Sequence, residues 1–508
     1  MQAVLERKWW TLIVVCLAIF MLLLDITIVN VALPKLQREL HASFTDLQWV
    51  IDAYALALAA LVLNAGSLAD LLGRKRVFIA GVVIFTAASA LCGAATTPLF
   101  LILSRALQGV GGAIMFATSL ALLSQEFHGR ERGTAFGIWG ATTGAAVAVG
   151  PLIGGALTTW AGWRWIFFVN LPIGAATVAG SMLQLRETRD EEHGGIDSLG
   201  LATLAGGLAA LVLGLLRGND WGWTSGRVIG VFGAAAALLV AFVAVELGQA
   251  RPMFDVTLFR KPAFAGAQTT AFALSSAVFA LFLYLTLYFQ NVLGYSPIAA
   301  GLRFLPTTLL SFAVAPVAGK LSAQVPVRLL LGIGLLLDSG ALVLMHGLTP
   351  SSGWTDLLPG LILLGAGIGL VNPPLASAAI SVVEPRRAGM ASGINSTFRQ
   401  VGIATGIAAL GALFQSHIRS DLAAKVAGGH GDELARAVAS GNARQALRNL
   451  PPQVQTATLH AARSAFVGAL NEIFLVAAGV AFVGALLAFA LVRQRDFAVS
   501  PAPEGAAA

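Results

Sequence analysis

Apolar residues along this chain come in long unbroken blocks. They show neither the alternation of half-buried strands nor the one-sided stripe of a surface helix. Each block is about as long as the roughly 20 helical residues needed to cross some 30 Å of hydrocarbon. Fourteen such segments are read, over 10–31, 47–69, 77–95, 99–122, 135–158, 164–185, 198–216, 227–248, 264–290, 302–322, 328–347, 356–380, 395–416 and 466–492. Inside lipid only helices and closed barrels satisfy their own backbone, and runs of Leu, Ala, Val, Gly and Ile lack the alternation of a barrel. The expected fold class is therefore all-α and polytopic. Its predicted parts are a six-helix bundle over 10–185, two linker helices over 198–248 and a second six-helix bundle over 264–492. A long extracytoplasmic loop forming one or two surface helices is expected over 415–464 and a disordered cytoplasmic tail over 499–508. Gly66-Ser67-Leu68-Ala69 is weakly echoed by Gly319-Lys320-Leu321-Ser322, which suggests duplicated halves.

Composition agrees with this pattern. Of 508 residues, 57% are hydrophobic and only 11% charged, against about 25% charged in soluble domains. The net charge of +7 resides in loops rather than in a basic domain, which argues against nucleic acid. Arg7, Lys8, Arg74, Lys75, Arg76, Arg130, Arg132, Arg186, Arg189, Arg251, Arg260, Lys261, Lys320, Arg328, Arg386, Arg387, Arg399, Arg493 and Arg495 are assigned to one side. The other side receives only Lys35, Arg38, Arg164, Arg217, Arg227 and Arg303. The positive-inside rule then places both termini in the cytoplasm. The first segment contains an acid and lacks a small-residue cleavage site, so it reads as a span rather than a signal peptide. Cys16 and Cys92 fall inside spans as packing residues. The seven histidines lie in loops or at span ends, and no Walker glycine loop is present. Neither enzyme chemistry nor direct ATP coupling is indicated, and no metal site or cofactor is read.

Candidate chemistry sits where charge interrupts the apolar blocks. Asp25 lies mid-span between Leu24 and Ile26. A carboxylate there costs at least about 2.5–3.5 kcal/mol, so it is expected to face an inner cavity and to serve function. Asp52, early in the second span, is either a second cavity acid or a residue complementing a helix start. Arg105 is a cation within the fourth span and needs a partner. Asp338 is either a second titrating group or the partner of a neighbouring span, whereas Glu246 and Glu472 lie near solvated span ends. Tyr284, Tyr288, Gln290 and Asn372, with Tyr54, are nominated for a substrate cavity; interface-belt aromatics are the competing reading of the tyrosines. Asn372-Pro373-Pro374 is expected to break its span.

Several runs resemble the major facilitator superfamily, and more narrowly its fourteen-span drug:proton antiporter branch of EmrB/QacA type. They are Leu24 to Pro34, Gly66 to Arg76, Arg105 to Gly112, Gly150 to Gly155, Trp163 to Gly174 and Gly389 to Gly402. The resemblance implies proton coupling through Asp25, Asp52 and Arg105. It implies a conformational latch of Gly66, Asp70, Gly73 and Arg74, and an antiporter motif of Gly150, Pro151, Gly154 and Gly155 sealing the two halves. The implied function is proton-coupled export of small lipophilic, cationic or neutral compounds from a bacterial inner membrane by alternating access. The implied partners are that substrate, protons and the lipid bilayer. The resemblance also implies a monomer and leaves room for a periplasmic adaptor. A proton-coupled transporter of one narrow-range metabolite, by import or export, and a non-transporting sensor are the alternatives.

Overall fold

A backbone enclosed by apolar side chains must hydrogen-bond to itself. The computed structural model describes residues 6–42, 44–127, 129–189, 197–249, 254–322, 324–384, 387–425 and 452–493, and every regular element among them is helical. The first half comprises α1 (Arg7–Leu40), α2 (Phe44–Leu72), α3 (Arg74–Gly93), α4 (Pro98–Glu126), α5 (Gly129–Trp160), α6 (Trp165–Phe168) and α7 (Asn170–Gln184). Next come α8 (Ser198–Trp221) and α9 (Gly226–Gly248). The second half comprises α10 (Pro262–Leu274), α11 (Ala280–Leu287), α12 (Pro297–Arg303), α13 (Leu305–Leu321), α14 (Val327–Met345), α15 (Leu358–Ser381), α16 (Ala388–Lys425) and α17 (Pro452–Leu491).

Twelve helices among the described residues are long and apolar enough to cross a membrane. The other two predicted segments are helical as well, one in α5 and one in the shorter apolar α13. Starts and stops follow local chemistry. Thr97 accepts the Phe100 N–H and Pro98 opens α4; Asp197 caps α8 by accepting the Gly200 N–H; Ser225 caps α9 by accepting the Val228 N–H. Gly73, at φ +110°, makes the turn between α2 and α3, a conformation that side chains disfavour.

The structure departs from the sequence reading at three places. α15 is continuous through Asn372-Pro373-Pro374. Proline removes a backbone bond and bends a helix, but neighbouring helices hold the two ends together. α16 runs on to Lys425 and α17 begins at Pro452, so the helix at both ends of the segment 415–464 continues the flanking spans and is not a separate surface helix there; 426–451 lie outside the described residues, as does the tail. Glu246 is 3% exposed and accepts the Phe254 N–H, so it is not a solvated span end.

The cores follow the halves. One apolar cluster joins α10, α11 and α14 to α17, and two others join α1 to α7, one of which takes in Ala376, Ile380 and Ala388 from the second half. Where the halves meet, glycines let the backbones touch. A methyl group on Gly133 would strike the Gly319 carbonyl, and one on Gly319 would strike that of Gly133. Gly66 and Gly389 are related in the same way. The echo between Gly66 and Gly319 thus marks two equivalent crossings, α2 on α16 and α5 on α13.

Helix α8 lies along the seam of α2 and α16, where Val212 packs with Ala59 and Ala404. Its ends are pinned to α2 by the Asn64 amide donating to the Leu201 carbonyl at 2.9 Å and by an Arg217–Asp52 ion pair at 3.0 Å. Gly133→Val is expected to destabilise the protein by about 1–3 kcal/mol through overpacking. Gly230→Val on α9, where nothing lies within 4 Å, should be neutral. Thermal unfolding of the purified variants followed by tryptophan fluorescence checks both.

Candidate functional site

Asp25 and Asp52, the acids nominated for proton coupling, are each drawn to an arginine. Asp25 is fully buried at the centre of the first half. Arg105 Nη1 donates to its Oδ2, while the Gln108 and Asn170 amides donate to its Oδ1 at 2.9 and 3.1 Å. Arg105 also donates from Nε to the Val50 carbonyl at 3.2 Å and lies 4.2 Å from the Tyr54 ring centroid. Asn170 reaches Ser89 as well, so one polar knot ties α1, α2, α3, α4 and α7 together. Asp25 is therefore compensated and closed off, in contrast to the open cavity acid expected from sequence. A buried carboxylate is stable only when its charge and lone pairs are answered, and three donors answer them.

The glycines of α5 bear directly on this knot. A methyl group on Gly150 would fall on Thr27, and one on Gly154 on Ile28, both just beyond Asp25 on α1. These two glycines face α1 within their own half and do not seal the halves against each other; that contact is made nearer the start of α5, at Gly133 and Gly137. Gly155 is buried, and of Pro151 only the helical backbone is described.

Asp70 joins the halves. Its carboxylate accepts the Gly389 and Met390 N–H groups at 3.1 and 2.9 Å and Arg74 Nε at 2.8 Å. Gly389 and Met390 open α16, so a carboxylate from one half caps a helix of the other and complements its dipole. Asp70 is 2% exposed and Arg74 5%. Asp52 is the more accessible acid: its side chain is 17% exposed and pairs with Arg217 of α8. It thus looks sideways to the linker helix, and Arg217, assigned from sequence to an outer loop, is a buried member of that helix.

In the second half, Tyr284 donates to the Ile407 carbonyl and Tyr288 to the Ser352 carbonyl, both at 3.0 Å. Their rings pack with Phe414 and Phe466, which makes them core residues and not cavity lining; Gln290 is half-buried. Asn372 belongs to a second polar knot. Arg399 donates from Nη1 to Asn372 Oδ1 at 2.9 Å and from Nε to Asn395 Oδ1 at 3.2 Å, and Asn395 donates to Gln268 Oε1 at 3.1 Å. Arg399 is thus an interior residue of α16, against its placement in a loop by charge counting. Asp338 is fully buried against Gly367, and among the described residues neither of its oxygens has a hydrogen-bond partner. Gln108, Asn170, Gln268 and Arg217 were not nominated from sequence. The signal available for them was a polar side chain inside an apolar block, which by itself names no partner.

Arg105→Gln leaves Asp25 buried without its cation and is expected to cost about 3–5 kcal/mol. Adding Asp25→Asn should recover at least half of that loss, as a thermal-unfolding double-mutant cycle would show. Asp70→Ala removes the side-chain acceptor of two α16 N–H groups and the carboxylate that Arg74 Nε meets. In a background of Cys16→Ala and Cys92→Ala, a cysteine replacing Leu63 at this crossing should then react several-fold faster with maleimide; equal rates would mean that Asp70 does not hold the crossing shut.

Known proteins extend the picture. The chain is 38% identical over 414 residues to "Multidrug resistance protein Stp" of Mycobacterium tuberculosis (strain CDC 1551 / Oshkosh), covering 81% of this chain and 77% of that one. It is 33% identical over 491 residues to the "Tetracenomycin C resistance and export protein" of Streptomyces glaucescens, covering 95% and 91%. The proton:xylose symporter XylE superposes with a TM-score of 0.64 at 11% identity, covering 96% of both chains, a likeness of fold alone. The sequence profile of the Major Facilitator Superfamily matches residues 15–407. With its two helical halves and the family profile spanning most of its length, the chain belongs to the major facilitator superfamily and is a transporter, not an enzyme.

Proposed function

We propose that this protein is a fourteen-span, proton-coupled exporter of small lipophilic compounds in a bacterial inner membrane, with both termini cytoplasmic. The observation that carries the reading is the Asp25–Arg105 pair, sealed inside the first half and touching the turn on which Gly150 of α5 rests. Relatives named for drug resistance and export support the direction of transport. The 32 residues of α5 reach about 48 Å at 1.5 Å per residue, enough to span.

A proton on Asp25 removes the charge that Arg105 answers, and a lone guanidinium in this interior is costly. Protonation therefore changes which packing of α1, α4 and α5 is favoured. Because α5 also crosses α13 of the other half, a change at Asp25 reaches the contact between the halves. Substrate enters from the cytoplasm while Asp25 is ionised. The halves rock, a proton from outside arrives at Asp25, substrate leaves, and the protonated carrier returns. A ligand can shift such an equilibrium only by binding the two states unequally, and here the proton does so through one carboxylate.

Efflux of ethidium and of the neutral dye Nile red from cells lacking their main pumps tests this. Wild type is expected to lower dye accumulation, and a protonophore or Asp25→Asn to abolish the effect. Full activity in Asp25→Asn, or indifference to the protonophore, would overturn proton coupling at this site. A wild type that moves no dye favours the narrow-substrate alternative.

A further inference from the structure

The second polar knot is chemically unlike the first. Around the first half, Arg105 has Asp25, Arg217 of α8 has Asp52 and Arg74 has Asp70. Arg399, 8% exposed, forms no ion pair among the described residues; the hydrogen bonds that hold it go to two neutral amides, Asn372 and Asn395. Two donors of this knot are left over. Arg399 Nη2 and Gln268 Nε2 are both buried without an acceptor among the described residues. Both are fixed through the same side chain, since Asn395 accepts from Arg399 and donates to Gln268. Asp338 does not answer this charge: it lies between α14 and α15 against Gly367 and forms no ion pair with Arg399.

The knot is also placed where the halves face each other. The nearest atoms to a methyl group on Gly140 of α5 would be Asn372 Cβ, at 3.4 Å, and Pro373. Asn372 therefore borders the first half at the level where α5 passes α15. A buried guanidinium with one nitrogen unused, tied through Asn395 to an amide that also has an unused N–H, is complementary to an oxygen that carries negative charge. Leaving such donors unsatisfied costs free energy, so a ligand that supplies the acceptor gains what the empty knot lacks.

We propose that Arg399 and Gln268 form a recognition site for an anionic oxygen, a carboxylate or phenolate, on the transported compound. Asn395 and Asn372 orient the guanidinium. The proposal deepens the export reading by naming a substrate class: lipophilic compounds bearing one acidic oxygen are preferred over neutral and cationic ones of the same shape.

Binding to the purified protein in lipid nanodiscs, followed by energy transfer from tryptophan to pyrene, tests this independently of export. The probes share one aromatic body: 1-pyrenebutyrate carries a carboxylate and 1-pyrenebutanol a hydroxyl. Wild type is expected to bind the carboxylate more tightly than the alcohol. Arg399→Gln should weaken carboxylate binding by on the order of tenfold and leave the alcohol unchanged, as expected for loss of a charge-assisted hydrogen bond in a buried site. Gln268→Leu should weaken the carboxylate several-fold with the charge retained, and Arg399→Lys should keep part of the preference. Equal loss for both probes would make Arg399 a packing residue, and no loss for either would remove it from recognition; each result overturns the proposal. If Arg399→Gln does not fold, Gln268→Leu decides alone, and an unchanged carboxylate-to-alcohol ratio in it sinks the idea. Arg399-dependent carboxylate binding without efflux from cells would leave this site standing and remove the export reading. Efflux without such binding would do the reverse.

Discussion

In an interior that excludes water a guanidinium and a carboxylate each gain by meeting, and the meeting of Arg105 with Asp25 organises the first half around it. The pair alone leaves lone pairs and N–H groups unanswered. Gln108, Asn170, Ser89 and the Val50 carbonyl complete it, and each comes from a different place along the chain. Five helices are thereby fixed in rotation as well as position, because each must turn a polar group inward. Apolar packing fills the rest, but it is less selective, since one Leu face resembles another. The knot supplies direction where lipid-like side chains cannot.

The contact between the halves is built differently. Glycines at Gly66, Gly133, Gly319 and Gly389 remove the side chains that would keep the backbones apart, and Asp70 adds a charge to the start of α16. Such a joint is specific, and apolar packing accompanies it where Ala376, Ile380 and Ala388 of the second half join a core cluster of the first. It suits two rigid bundles that change their relative tilt, whereas the polar knots inside each bundle suit units that keep their shape. Helix α8 belongs to both arrangements. Its polar ties go to α2, while its apolar face also covers α16.

Charge pairing across the interior divides the protein in two. The acids of the first half come with arginines, so protonation there unmakes an existing pair. Arg399 in the second half comes with amides, so a ligand there makes a pair that does not yet exist. In the proposed scheme proton and substrate act on different halves and communicate through α5, which touches α1 beside Asp25, crosses α13, and faces Asn372. Coupling through one shared helix needs no direct competition at a single carboxylate.

Much of this was legible in the chain itself. Block lengths fixed where the helices lie, because a span must be apolar for its whole length. Asp25, Asp52, Arg105 and Asp70 were legible as sites because charge in such blocks is costly and rare, and Gly66 and Gly319 were legible as an echo of duplication. Partners were not legible. Nothing in sequence order joins Asp25 to Asn170, Asp52 to Arg217 or Asp70 to Gly389, since each pairing depends on how helices rotate and cross. Gly150 was expected at the seam between halves, and Tyr284 on a cavity; one faces α1 and the other lies in the core. The sequence by itself determined which segments are helical and which residues cannot face lipid. Only the tertiary structure decided what each of those residues faces instead, because an apolar helix can present any side to its neighbours until polar groups and glycines choose one.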